Sequence, residues 1–101
     1  MSKYNIERSE CGEGWYPIIQ PLIDLAESKN LKILQIKEKF GGLRFYYEGV
    51  DEEMSEAISK AAAIADVTCE LCGKPATERF GGWIRVLCDE HAIERAHRNK
   101  R

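Results

Sequence analysis

The stretch Cys69-Glu70-Leu71-Cys72-Gly73, followed after residues 74–87 by Cys88-Asp89-Glu90-His91, decides how this chain is read. It sets a C-x2-C pair against a C-x2-H pair, with a span between them long enough for a hairpin. Three thiolates and one imidazole complete a tetrahedral zinc site with no open position, the pattern of a structural metal. Two other readings compete. One is a Cys69–Cys72 disulfide of the thioredoxin kind, but that motif opens a helix within a βαβ unit, and no such unit surrounds it. The other is a set of inert buried thiols beside a surface histidine, which makes the paired spacing a coincidence. Cys11, the remaining cysteine, reads as a free thiol or as a substitute for His91 in the fourth ligand position.

The spacing has a mechanical basis. In C-x2-C the backbone turns so that both sulfurs aim at one point, and Gly73 suits so tight a loop. Asp89 and Glu90 place acidic side chains in a first helical turn, and good helix formers follow through Ala96. Cys88 and His91, three apart, then share one helix face. Residues 76–80 and 83–87 flank Gly81-Gly82 as a hairpin. Knuckle, hairpin, then a helix carrying the last two ligands is the order of a treble-clef-like zinc finger.

Outward from this module, residues 1–14 are polar and read as an extended or loose lead-in. From Ile18 the recurrence of Ile18, Leu22, Ile23, Leu25 and Ala26 is helical; Pro17 and Pro21 place its start near Gln20, and Asn30 stops it. Residues 31–36 and 43–48 alternate as strands around Glu38-Lys39-Phe40-Gly41-Gly42, a hairpin with Gly-Gly in the turn. Asp51 then caps a helix running to about Asp66. Its apolar face is Met54, Ile58, Ala61, Ala62 and Ala65, with Ala57 and Ile64 beside it. The expected fold class is α+β: helix, β-hairpin and helix in residues 1–68, then the zinc-finger module in residues 69–101, packed as one unit.

Length and charge narrow the function. A chain of 101 residues holds one core, and 44% hydrophobic with 32% charged residues is a globular balance. No apolar run approaches the ~20 residues of a membrane span, and Met1-Ser2-Lys3-Tyr4 leads into charge, so a cytoplasmic protein is expected. The net charge of −2 is an average. Residues 1–68 hold eight Lys/Arg against twelve Asp/Glu, and residues 69–101 hold seven against five. Lys39-Phe40-Gly41-Gly42-Leu43 is echoed by Arg79-Phe80-Gly81-Gly82-Trp83. Two such turns either meet the same local need or present Phe and a cation at paired tips.

Gly14-Trp15-Tyr16-Pro17, residues 37–46 (KEKFGGLRFY) and the Cys69–Asp89 block together resemble a group of small uncharacterised proteins encoded by bacteriophages and prophages. The resemblance runs from Gly14 to about Ala92. It implies a setting, the reducing bacterial cytoplasm, and no mechanism. In that group the last ligand is often cysteine. Here it is His91, which makes ligation more sensitive to acid.

No G-x-x-x-x-G-K-[ST] loop and no G-x-S-x-G occurs, and one of two histidines is assigned to zinc. The expectation is a non-catalytic protein that binds a host or phage macromolecule, including a bacterial defence or regulatory protein. Its candidate contacts are Phe40, Arg44, Tyr46, Phe80 and Arg85, with Arg95 and Arg98 on the last helix. Trp83 is also considered, but Trp83, Phe45 and Tyr47 are read as core. The alternative is nucleic-acid binding through residues 95–101, four cations without an acid. A treble-clef nuclease is the weakest reading, because residues 76–87 contain no general-base histidine.

Overall fold

The hairpin turn sets the register of the whole N-terminal half. The computed structural model describes residues 4–79 and 84–99, with the side chains of 97–99 outside the description. Strand β1 (Ile33–Lys39) pairs antiparallel with β2 (Gly42–Tyr47), and Lys39 closes the turn opposite Gly42. The turn is therefore Phe40-Gly41, not Gly41-Gly42, with φ of 53° and 79° at its two residues. Two positive φ values make the type I′ geometry that matches strand twist. Glu38 Oε2 accepts the Gly41 N–H at 2.8 Å and holds the loop. A side chain at Gly41 would be strained by the positive φ and crowded, since its Cβ would lie 3.0 Å from Ile84 Cγ2. Gly41→Val is expected to cost at least the ~1–2 kcal/mol of a left-handed L-residue, read by urea denaturation.

From this register Ile36, Leu43 and Phe45 face inward and are buried. Gln35, Lys37, Arg44 and Tyr46 take the other side. A bulge at Leu34 breaks the register between Ile33 and Gln35 and turns Leu34 outward.

Helix α1 (Tyr16–Ser28) lays Ile19, Leu22, Ile23 and Ala26 on the core. It starts four residues earlier than the prolines indicate, with Pro17 in the first turn and Pro21 inside. Pro21 forgoes one hydrogen bond near the helix start, where burial of Ile19 and Trp15 outweighs it. The C-terminus closes as a Schellman motif. Asn30 takes φ 57°, and the Asn30 and Leu31 amides donate to Glu27 O and Ala26 O.

Helix α2 (Glu52–Ala65) packs across α1 and β2, burying Met54, Ala61 and Ala65, while Ile64 stays exposed. Asp51 caps it, accepting from the Met54 N–H at 2.8 Å. That amide, with the Lys29 ammonium, holds the Asp51 carboxyl below its ordinary 3.8, against a smaller cost of burial. A depressed folded pKa contributes stability that is present above 3.8 and fades as pH falls through the folded value. Asp51→Ala is expected to lower the thermal midpoint at pH 7, by a margin that narrows below 3.8.

Residues 4–14 are ordered rather than loose, and Glu10 within them is extended along β1. Short 3-10 turns form at Ile6–Arg8 and Glu13–Trp15. Between them Glu10 lies along β1, its N–H donating to Ile36 O at 2.8 Å and its O accepting the Glu38 N–H at 3.2 Å. The outer edge of β1 is thereby partly paired, which a free edge favours.

In the C-terminal module β3 (Thr77–Arg79) pairs with β4 (Arg85–Leu87), and helix α3 (Asp89–Asn99) follows. Val86 is fully buried in the same core as Trp15, Ile19 and Phe45, so the module shares the apolar interior of residues 1–68. Among the described residues no helix is long and apolar enough to cross a membrane.

Candidate metal centre

The C-terminal end of α2 delivers the chain into a short, fully bonded loop. Thr68 Oγ1 donates to Ile64 O at 2.7 Å, and Thr68 bridges Pro75 across the knuckle. Within it the Cys69 N–H donates to Lys74 O at 2.7 Å and the Gly73 N–H to Cys69 O at 2.9 Å. Gly73 sits at φ 82°, a conformation that other L-residues rarely adopt. The second ligand pair starts α3: Cys88 O accepts from the Ala92 N–H at 2.9 Å, and His91 lies one turn on.

These two elements bring Cys69, Cys72, Cys88 and His91 together, with every ligand atom within 4.8 Å of the others. The Cys72 and Cys88 sulfurs are 3.7 Å apart. His91 Nδ1 lies 3.5 Å from Cys69 Sγ and 3.2 Å from Cys88 Sγ. A tetrahedral ion with Zn–S of about 2.3 Å and Zn–N of about 2.05 Å requires S···S near 3.8 Å and S···N near 3.6 Å. The spacings therefore suit one metal ion. They are far beyond the ~2.05 Å of a disulfide, and none of the four cysteines is in a disulfide. On its other nitrogen, His91 Nε2 faces Glu94 Oε2 at 3.7 Å, a carboxylate placed to orient the ring.

The local dipoles favour charged ligands. Burial opposes ionisation of Cys69, but the backbone N–H groups of Cys88, Leu71 and Cys72 outweigh it and lower its pKa. The His91 amide and side chain lower Cys88 as well, while Cys88 and Cys69 raise the imidazole. Cys72 is pushed up, for its Lys74 amide is overcome by burial and the two neighbouring sulfurs. Thiolates crowded this closely repel one another, and a bound cation removes the repulsion.

Sequence reasoning missed the residue that ties this centre to the rest. Glu70, inside the knuckle, is only 4% exposed. Its carbonyl accepts the Gly14 N–H at 2.8 Å, its Oε2 accepts the Gly12 N–H at 3.4 Å, and its own N–H donates to Val86 O at 3.0 Å. Burial raises its pKa, and the Arg85 guanidinium, 3.3 Å away, pulls the other way. The Trp15 indole N–H donates to Thr68 O at 2.8 Å. Gly14 presses on the backbone of Cys69 and Cys72 so closely that any Cβ would collide. The only sequence signal was Gly12-x-Gly14-Trp15.

Cys11 lies outside the ligand cluster. It therefore does not stand in for His91, and burial, reinforced by Glu70, Glu38 and Glu10, pushes its thiol up to about 12.

The expected contact residues divide. Phe40 is 69% exposed, Tyr46 44%, and Arg44 is also exposed. Phe45 is buried and Tyr47 half-buried against the core, as read. Arg85 is not a free contact, because it neutralises Glu70. Arg95 donates to Arg79 O at 3.3 Å. Phe80, Gly81, Gly82 and Trp83 lie outside the described residues, as does the Arg98 side chain, so the second Phe-Gly-Gly turn does too. No family model, no curated protein and no solved structure matches the chain.

Proposed function

We propose that the chain is a zinc-stabilised, non-catalytic binding module. Cys69, Cys72, Cys88 and His91 would hold one structural zinc in a finger of treble-clef type, and the N-terminal hairpin would present the contact surface. The observation that carries this reading is the Cys3His cluster, whose four ligand atoms all lie within 4.8 Å of one another. A site saturated by four protein ligands leaves no position for a substrate or an activated water. The setting proposed is a reducing cytoplasm, where thiols persist as metal ligands, in a bacterial host.

Native mass spectrometry tests the reading. One zinc per chain is expected, lost from Cys88→Ser. A metal-free protein with unchanged circular dichroism, or a metal ion carrying an exchangeable water, would overturn it.

A further inference from the structure

The outward side of the β1–β2 hairpin carries chemistry that the metal centre does not use. Alternation puts Gln35, Lys37 and Lys39 of β1 on one side with Arg44 and Tyr46 of β2, and Lys37 stands opposite Arg44. Among the described residues none of Lys37, Lys39 and Arg44 forms a salt bridge. Glu52, Glu53 and Glu56 ride on α2, which packs on the hairpin's core side. The Glu10 carboxylate, which accepts from Gln35 Nε2 at 2.6 Å, lines the groove beside Tyr46, so the cations gather toward the turn end at Lys37, Lys39 and Arg44. A chain of net charge −2 thus displays a local cationic strip.

Aromatic rings interleave with those cations. Phe40 projects from the turn at 69% exposure, with Lys39 Nζ 5.8 Å from its ring centroid. Tyr46 lies on the face itself. Beyond it a groove of ≈ 520 Å³ runs between Tyr46 and Tyr4, whose ring is stacked by the Arg8 guanidinium at 5.2 Å. Exposed rings cost hydration unless a partner covers them, and three cations without a salt bridge among the described residues select a polyanion. A polymer that offers both phosphates and flat rings satisfies the whole strip, provided its bases are unpaired.

We infer that the outward face of the β1–β2 hairpin binds single-stranded nucleic acid, with Lys37, Lys39 and Arg44 on phosphates and Phe40 and Tyr46 stacking bases. The inference rests on the reading of the chain as a binding module, and it moves the contact from the C-terminal cations to the hairpin.

The test is fluorescence anisotropy of the zinc-loaded full chain with a labelled oligothymidylate. Three phosphate contacts give an expected slope of log K against log salt of about −2. Phe40→Ala and Tyr46→Ala are each expected to weaken binding about tenfold, with zinc content and circular dichroism unchanged. The triple variant Lys37→Gln, Lys39→Gln, Arg44→Gln should remove most of the salt dependence. Neutralising Arg98, Lys100 and Arg101 should leave binding in place. Absence of binding by zinc-loaded protein, insensitivity to the hairpin variants, or preference for a duplex overturns the inference. If zinc is present and the oligonucleotide does not bind, yet a purified acidic protein binds through Phe40 and Tyr46, only the nucleic-acid assignment falls. A chain without zinc overturns the module reading instead.

Discussion

Withdrawing the metal with a strong chelator is expected to unfold the C-terminal third of the chain. The elements there cannot stand alone. Strands β3 and β4 have three residues each, and α3 has 11, below the length at which an isolated helix persists in water. Structural zinc supplies on the order of 10–16 kcal/mol in finger peptides, more than Leu87, Ala76 and Ala92 around the ligands could replace, while Val86 alone anchors β4 in the N-terminal core. Circular dichroism should show loss of helix on chelation and recovery on adding zinc. Cys69→Ser and Cys88→Ser should behave alike. Acid should act in the same direction, because protons compete with the metal for thiolates and imidazole. A chelated sample that keeps its thermal midpoint would refute the role given to the metal.

Trp15→Ala is expected to destabilise the zinc-loaded protein by about 3–5 kcal/mol, a large share of the ~5–15 kcal/mol that holds a domain of this size. The side chain is fully buried and sits where α1, the hairpin and the knuckle meet. Trp15→Phe keeps a six-membered ring and removes the pyrrole edge together with its bond to Thr68 O, so about 1–3 kcal/mol is expected. Urea denaturation of both variants measures the difference. Equal losses would mean that this edge and its hydrogen bond carry the whole effect.

Local features were the legible ones. The ligand spacing around Cys69 and Cys88 and the cap at Asp51 operate over a few residues, so their geometry follows from neighbours in the chain. The start of α1 was less legible, because a proline rule weighs one lost hydrogen bond and cannot see the burial of Trp15 that outweighs it. The turn at Phe40-Gly41 was displaced by one residue from Gly-Gly, since a phenylalanine with positive φ is a tertiary outcome. The path of residues 4–14 was illegible for a simpler reason. Glu10 pairs with β1 and Gly12 and Gly14 with Glu70, partners 26 to 58 positions away that no local pattern announces.

Glu70 lies between Cys69 and Cys72, two of the candidate metal ligands, and also receives the amides of Gly12 and Gly14. Metal occupancy and the order of the N-terminal segment are therefore thermodynamically linked, and linkage runs both ways. In a deuterium-exchange experiment those two amides, remote in sequence from every ligand, should report the metal's dissociation. A lost ion would be felt first at Gly12, before the hairpin core opens.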